Sequence, residues 1–102
     1  MHTIRRHQEV KTDFEEAFGW HQDQSYGLGF EFAAAFRVVL GSIKRDPLIY
    51  ACRWEDIRRV NLKRFSYGLF YFVEDDTVVV LALLHGKRDL KRLVESRKQT
   101  YH

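Results

Sequence analysis

Residues 57–89 read IRRVNLKRFSYGLFYFVEDDTVVVLALLHGKRD, and the change of rhythm inside this stretch decides the fold. Val60 and Leu62 alternate with Arg59, Asn61 and Lys63, which predicts a strand with one buried and one solvated face. Residues 67–73 are aromatic or apolar on both faces apart from Gly68, as expected of a central strand. Glu74-Asp75-Asp76-Thr77 is a polar break of hairpin size, and aspartate tolerates the left-handed backbone that such turns use. Residues 78–84 return as a second fully buried strand. The stretch closes on His85-Gly86-Lys87-Arg88-Asp89, so the sheet delivers cations to one rim, a pattern suited to gripping something anionic.

Upstream the period lengthens. Val10, Phe14, Ala17, Phe18 and His21 recur at three- and four-residue steps, which places them on one face of a helix over 10–24. Glu9, Asp13, Glu15 and Glu16 lie toward its start, where negative charge suits the helix dipole. Tyr26-Gly27-Leu28-Gly29 breaks the pattern. A second helix over 30–44 follows, with Phe32, Ala33, Phe36, Val39, Leu40 and Ile43 as its buried stripe. Asp46-Pro47 stops it, because the residue before proline is pushed out of the helical region. The two helices form an antiparallel hairpin that covers the strand at 78–84 on one side. Residues 3–8 offer a further strand with poor alternation, and a short basic helix over 90–98 closes the chain. The expected architecture is α+β: an N-terminal strand, the helical hairpin packed on a mainly antiparallel sheet of about four strands, and a short C-terminal helix.

A chain of 102 residues is expected to be one small domain over 1–102, able to bury roughly 60–70% of its unfolded surface. Of its charged groups, residues 1–47 carry six basic and seven acidic, whereas 48–102 carry eleven basic and seven acidic. The C-terminal half is therefore where an anionic partner is sought. Cys52 is the only cysteine, which excludes an internal disulfide and a cysteine-based zinc site. No metal or cofactor is expected. The N-terminus has no apolar segment behind its arginines, and the longest apolar run, of seven residues, falls far short of the ~20 that span a bilayer. The expectation is a cytoplasmic protein without membrane association.

Each candidate residue has a structural reading beside a functional one. Arg59 and Lys63 are either the polar side of an edge strand or a partner-binding surface. His85 is either a hydrogen-bonded residue at a strand end or a proton shuttle. Arg88 and Asp89 either pair or cap the last helix, or contact a target. Tyr67 and Tyr71 belong mostly to the core. Trp20 and Trp54 are packing residues or anchors for a protein partner. Lys91, Arg92, Arg97 and Lys98 read as a solvated helix face.

Several fragments in this order resemble the RelE/ParE superfamily of bacterial type II toxins. Gly27-Leu28-Gly29-Phe30-Glu31-Phe32 looks like the family's Gly-Leu-Gly-x-x-Phe, preceded by Glu16-Ala17-x-x-Trp20. Ile57-Arg58-Arg59, Arg64-Phe65-x-Tyr67 and Leu69-x-Tyr71 are similar to its Ile-Arg-Arg, Arg-Phe-Pro-Tyr and following aromatic strand. His85-x-x-Arg88-Asp89 matches its His-x-x-Arg-Asp-Pro. Ser66 and Leu90 depart from the family's prolines, and His21 stands where a tyrosine is usual.

The resemblance implies a small toxin neutralised by a cognate antitoxin that wraps it, with operator DNA engaged only indirectly through that antitoxin. ParE-like members inhibit DNA gyrase and serve plasmid stabilisation. RelE-like members enter the ribosome and cleave mRNA, which requires a base for the ribose hydroxyl, cations for the phosphorane and an acid for the leaving oxygen. The position after Tyr67, commonly arginine in the RelE branch, is Gly68 here, and Val94 stands where that branch often has a tyrosine. Both absences favour the ParE-like reading. The resemblance then implies target contacts from Arg58, Arg59, Lys63, Arg64, His85, Lys87 and Arg88, and antitoxin contacts from Trp20, Trp54 and Tyr67. Under the ribonuclease alternative, His85 and Arg88 would be the catalytic pair. A third alternative is a folded member that has lost toxicity.

Overall fold

A computed structural model describes residues 2–86 and 90–101. Strand β1 (Thr3–Arg6) leads into helices α1 (Glu9–Gln24) and α2 (Leu28–Arg45), then strands β2 (Cys52–Trp54), β3 (Ile57–Asn61), β4 (Tyr67–Glu74) and β5 (Thr77–His85), and finally α3 (Lys91–Thr100).

The hairpin between the helices owes its shape to two glycines that act differently. Gly27 has φ of 90°, a conformation that carries little strain only without a Cβ. Gly29 is needed for space, since a Cβ there would lie 2.5 Å from Gln22 Cγ and 2.8 Å from the Phe18 carbonyl oxygen. The amide of Gly29 also donates to Gln22 Oε1 at 2.7 Å, which ties the start of α2 to the end of α1. At the other end of α1, His7 Nδ1 accepts the Glu9 amide at 3.1 Å and substitutes for a conventional cap.

The strands form one five-stranded sheet in the order β1-β5-β4-β3-β2. β1 pairs parallel to β5, with Thr3 opposite Thr77, and the remaining pairings are antiparallel. β4 is central, and Asp75 at φ 56° makes the β4–β5 turn. The strand beyond the expected four is β2, whose three residues are too few to show an alternation.

Each face of the sheet has its own cover. Val60, Leu62, Leu69, Tyr71, Val78, Val80 and Leu83 pack under Val10, Ala17, Phe32, Phe36, Val39 and Ile43 of the helical hairpin. On the opposite face Ile57, Phe70, Phe72, Val79, Leu81 and Ala82 pack with Val94 of α3. Residues 78–83 are each no more than 1% exposed, and burial at that level stabilises by roughly 1.5–3 kcal/mol for each large apolar side chain. Phe14 and Phe18, placed by periodicity on the buried face, are only partly covered.

Beyond the end of β1, the outer edge of β5 is closed by side chains from two helices. Asp13 Oδ2 on α1 accepts the Leu83 amide at 3.0 Å, and Arg97 on α3 donates to the Leu81 carbonyl at 3.2 Å. Arg97 also forms a two-pronged pair with Asp13, at 2.5 and 3.1 Å. Both side chains are nearly buried, at 12% and 9% exposure. Arg97 is therefore a structural tie rather than part of a solvated helix face. Lys98 likewise lies over the Phe72 ring and pairs with Asp56. Among the described residues no helix is long and apolar enough to cross a membrane.

Candidate functional site

The rim where β3, β4 and β5 end gathers most of the described candidates. Phe65, Ser66 and Tyr67, on the segment that joins β3 to β4, separate two adjoining clefts. One, of about 340 Å³, is lined by Arg53, Arg59, Asn61 and Gly86 together with that tripeptide. The other, of about 460 Å³, is lined by Trp20, His21, Arg64 and His85 with the same three residues. The wall between them is pinned by two backbone hydrogen bonds: Gly86 N–H donates to Ser66 O at 2.8 Å, and Leu62 N–H donates to Tyr67 O at 3.0 Å.

Arg59 is not simply solvated. Its guanidinium donates from Nε to Asn61 Oδ1 at 2.8 Å and from Nη2 to the Gly86 carbonyl at 3.1 Å. It also lies 5.1 Å over the centroid of Phe70. Gly68 on the neighbouring strand makes room for it: a Cβ there would fall 2.4 Å from Arg59 Nε and 2.7 Å from Cζ. Burial, and then the nearby Arg53 cation, hold the Arg59 pKa below its ordinary value. Among the described residues no carboxylate pairs with it.

The aromatic cleft continues the hairpin core to the surface. His21 is buried, with Nδ1 bonded to the Ala17 carbonyl of its own helix at 2.6 Å and its ring stacked 4.8 Å from Phe32. Tyr67 lies 5.1 Å from His85, and burial followed by the Glu16 charge raises the Tyr67 pKa. His85 is exposed at the end of β5, not embedded in the core. Trp20, expected either as packing or as an anchor for a protein partner, is 57% exposed.

The other candidates lie elsewhere, apart from Arg64, which lines both the aromatic cleft and a further groove. Arg58 points to the opposite face of β3, where it donates to the Leu48 and Tyr50 carbonyls. Lys63 and Arg64 follow β3 and border a groove of about 750 Å³ against α2. Arg64 also pairs with Glu31 at 2.7 Å. Trp54 stacks on Phe70 at 5.5 Å. Tyr71 is fully buried and donates to the Pro47 carbonyl. Lys87, Arg88 and Asp89 lie outside the described residues; α3 itself has Leu90 at its N-cap.

Sequence reasoning passed over Arg53, Asn61 and Ser66 in the first cleft and Val38, Ala34 and Ala35 in the groove. Val38 carried a signal, since it falls outside the apolar stripe of α2 and is 71% exposed. Among the described residues no group of three His, Cys, Asp or Glu is placed to hold a metal ion.

Residues 4–90 match the family described as ParE toxin of type II toxin-antitoxin system, parDE. Two solved structures share the fold. One, described as the chromosomal ParDE TA system from P. aeruginosa, is 10% identical with a TM-score of 0.64 over 85% of this chain and 98% of that one. The isolated E. coli RelE toxin is 17% identical with a TM-score of 0.66 over 98% of this chain and 99% of that one. No curated protein matches the chain by sequence.

Proposed function

This chain belongs to the ParE toxin family of type II toxin-antitoxin systems, and from that premise we propose that it inhibits DNA gyrase and is neutralised by a cognate antitoxin. The choice of target rests on the seating of Arg59 against Gly68. Where RelE-like toxins commonly carry an arginine for phosphate chemistry, this chain has a glycine, and the Arg59 guanidinium occupies the space that a side chain would need. Val94, where those toxins often carry a tyrosine, is fully buried on the α3 face of the sheet. A hydroxyl placed there would enter the core, not the cleft. Lys63 and Arg64, both exposed beside the rim, supply cations for a protein target.

The antitoxin site is the groove along α2. Ala34, Ala35, Val38 and Val39 form an apolar floor with Tyr50, and Arg45, Lys63 and Arg64 stand along it. This chemistry suits an amphipathic segment with small apolar residues on one face and carboxylates on the other. Purified toxin is expected to block gyrase supercoiling, and its expression to arrest growth with a DNA damage response. Translated mRNA cut within codons while supercoiling continues would overturn the reading. Val38→Arg is expected to leave growth arrest intact while the antitoxin no longer relieves it.

A further inference from the structure

We propose that two copies of this chain associate through the exposed face of α2, packed antiparallel about a twofold axis beside Ala34. The association stands on the sequence and exposure of α2 and does not depend on gyrase being the target.

The exposed apolar surface is concentrated on this helix. Among the described residues seven large apolar side chains are exposed, and five of them lie on α2 or near its ends: Tyr26, Phe30, Val38, Leu48 and Ile49. Phe30 is 60% and Val38 71% exposed. They stand four positions before and four positions after Ala34, itself exposed, and residues at that spacing share one helix face. An apolar face of this kind on a small domain marks a contact surface.

The symmetry of the face identifies what covers it. Residues 12–36 hold five carboxylates and no Lys or Arg, whereas 37–45 hold Arg37, Lys44 and Arg45 and no carboxylate. Asp23 and Glu31 on the acidic side and all three cations on the basic side are exposed. Antiparallel packing about Ala34 lays the acidic, aromatic half of each helix on the basic half of the other. Parallel packing would oppose like charges, so the direction is fixed as well. Phe30 of one copy comes level with Val38 of the other, because both stand equally far from the axis. Tyr26 then approaches the end that carries Leu48 and Ile49. Glu31 already holds Arg64 of its own chain, and its two oxygens leave room for a second cation. Ala34 puts only a methyl group at the crossing, which lets the helix axes approach to about 8 Å. A surface that is its own complement under a twofold closes as a dimer.

A contact carried by one helix per copy is small beside the roughly 1,200–2,000 Å² of stable interfaces, so the association is weak and reversible. The groove assigned to the antitoxin is bounded by Ala34, Val38 and Arg45, so dimer and antitoxin complex exclude each other. That exclusion rests on the antitoxin site proposed above; the association does not.

Sedimentation equilibrium of the purified full chain is expected to show the mass rising from monomer to dimer with concentration. Ala34→Arg changes an exposed helical residue, so it should fold. It puts like charges and long side chains together at the axis and is expected to raise the dimer dissociation constant by roughly tenfold or more. Arg37→Glu is expected to weaken the dimer too, and Arg92→Gln, on the exposed face of α3, to leave it unchanged. The register is read by Ala34→Cys in a Cys52→Ser background, since Cys52 is exposed. Oxidation should link the copies at position 34, because a disulfide needs Cα atoms within about 7 Å, and Arg92→Cys should not link them. The measurements use the toxin alone, so their failure leaves the antitoxin site to its own test. A monomer at every concentration, a dimer indifferent to Ala34→Arg and Arg37→Glu, or linkage no faster at position 34 than at position 92 would overturn the proposal.

Discussion

Arg97 and Arg59 are both partly withdrawn from water, and the protein treats them in opposite ways. Arg97 sits at the edge of β5 with a carboxylate from α1 on two of its donors and a strand carbonyl on a third contact. Arg59 sits at the far rim, where its hydrogen-bond partners among the described residues are an amide oxygen and a backbone carbonyl. The first arginine is neutralised and its field ends within the fold. The second is oriented by neutral groups, and among the described residues no carboxylate neutralises it. The contrast separates a cation that fastens helices to a sheet from one that lines an open cleft at the rim.

The largest test of that contrast removes the tie. Asp13→Ala leaves Arg97 nearly buried without its carboxylate and the Leu83 amide without its acceptor. It is expected to cost about 3–5 kcal/mol of stability in urea unfolding. A loss below about 1 kcal/mol would show that the two arginines do not differ in kind. Gly68→Ala is expected to cost about 1–3 kcal/mol, because the new Cβ collides with the Arg59 guanidinium and crowds a packed strand. It should also weaken whatever binds the rim. Arg59→Met removes a cation that has no carboxylate partner among the described residues, so a stability change of about 1 kcal/mol or less is expected.

A pH titration sharpens the comparison further. His7 joins the Arg97 region through Thr100 Oγ1, 3.1 Å from Nε2. Its pKa is lowered by burial and then by the Arg97 cation. The unfolded chain therefore binds the proton more readily than the folded one. Stability is full above the ordinary histidine pKa of about 6.5 and falls as the pH drops through the lowered folded value. His7→Gln should flatten that slope in urea midpoints, whereas Arg59→Met should leave it unchanged. The smallest effect belongs to the exposed Arg64–Glu31 pair, whose side chains are 65% and 54% accessible. Glu31→Gln is expected to cost no more than about 0.5 kcal/mol, and less in high salt.

The difference between the two arginines was only partly legible in the sequence. The helical hairpin, its glycine turn and the pair β4 and β5 announce themselves, because their apolar periods are local and long. Arg97 gives no such sign: its partner Asp13 lies 84 positions away, and Lys91, Arg92, Arg97 and Lys98 together look like a wet helix face. The role of α3 as cover for the second face was hidden for the same reason, since Val94 is its only buried residue. Arg59 was legible as a candidate from its alternation with Val60. Its seating was not, because that depends on Gly68 across a strand pair and on Gly86 at the end of β5. For Trp20 the sequence left packing and a partner anchor open, and its exposure agrees with the second, while His21 beside it is the one that turns inward.

The parallel pairing of β1 with β5 also sets a schedule. Thr3 must wait for Thr77, and at roughly 5–20 residues per second of synthesis that delay lasts several seconds. During it the sheet lacks the strand that supplies Gly86 to Arg59. The rim that carries the cations therefore takes shape only after residue 86 has been made, well after the helical hairpin has left the ribosome.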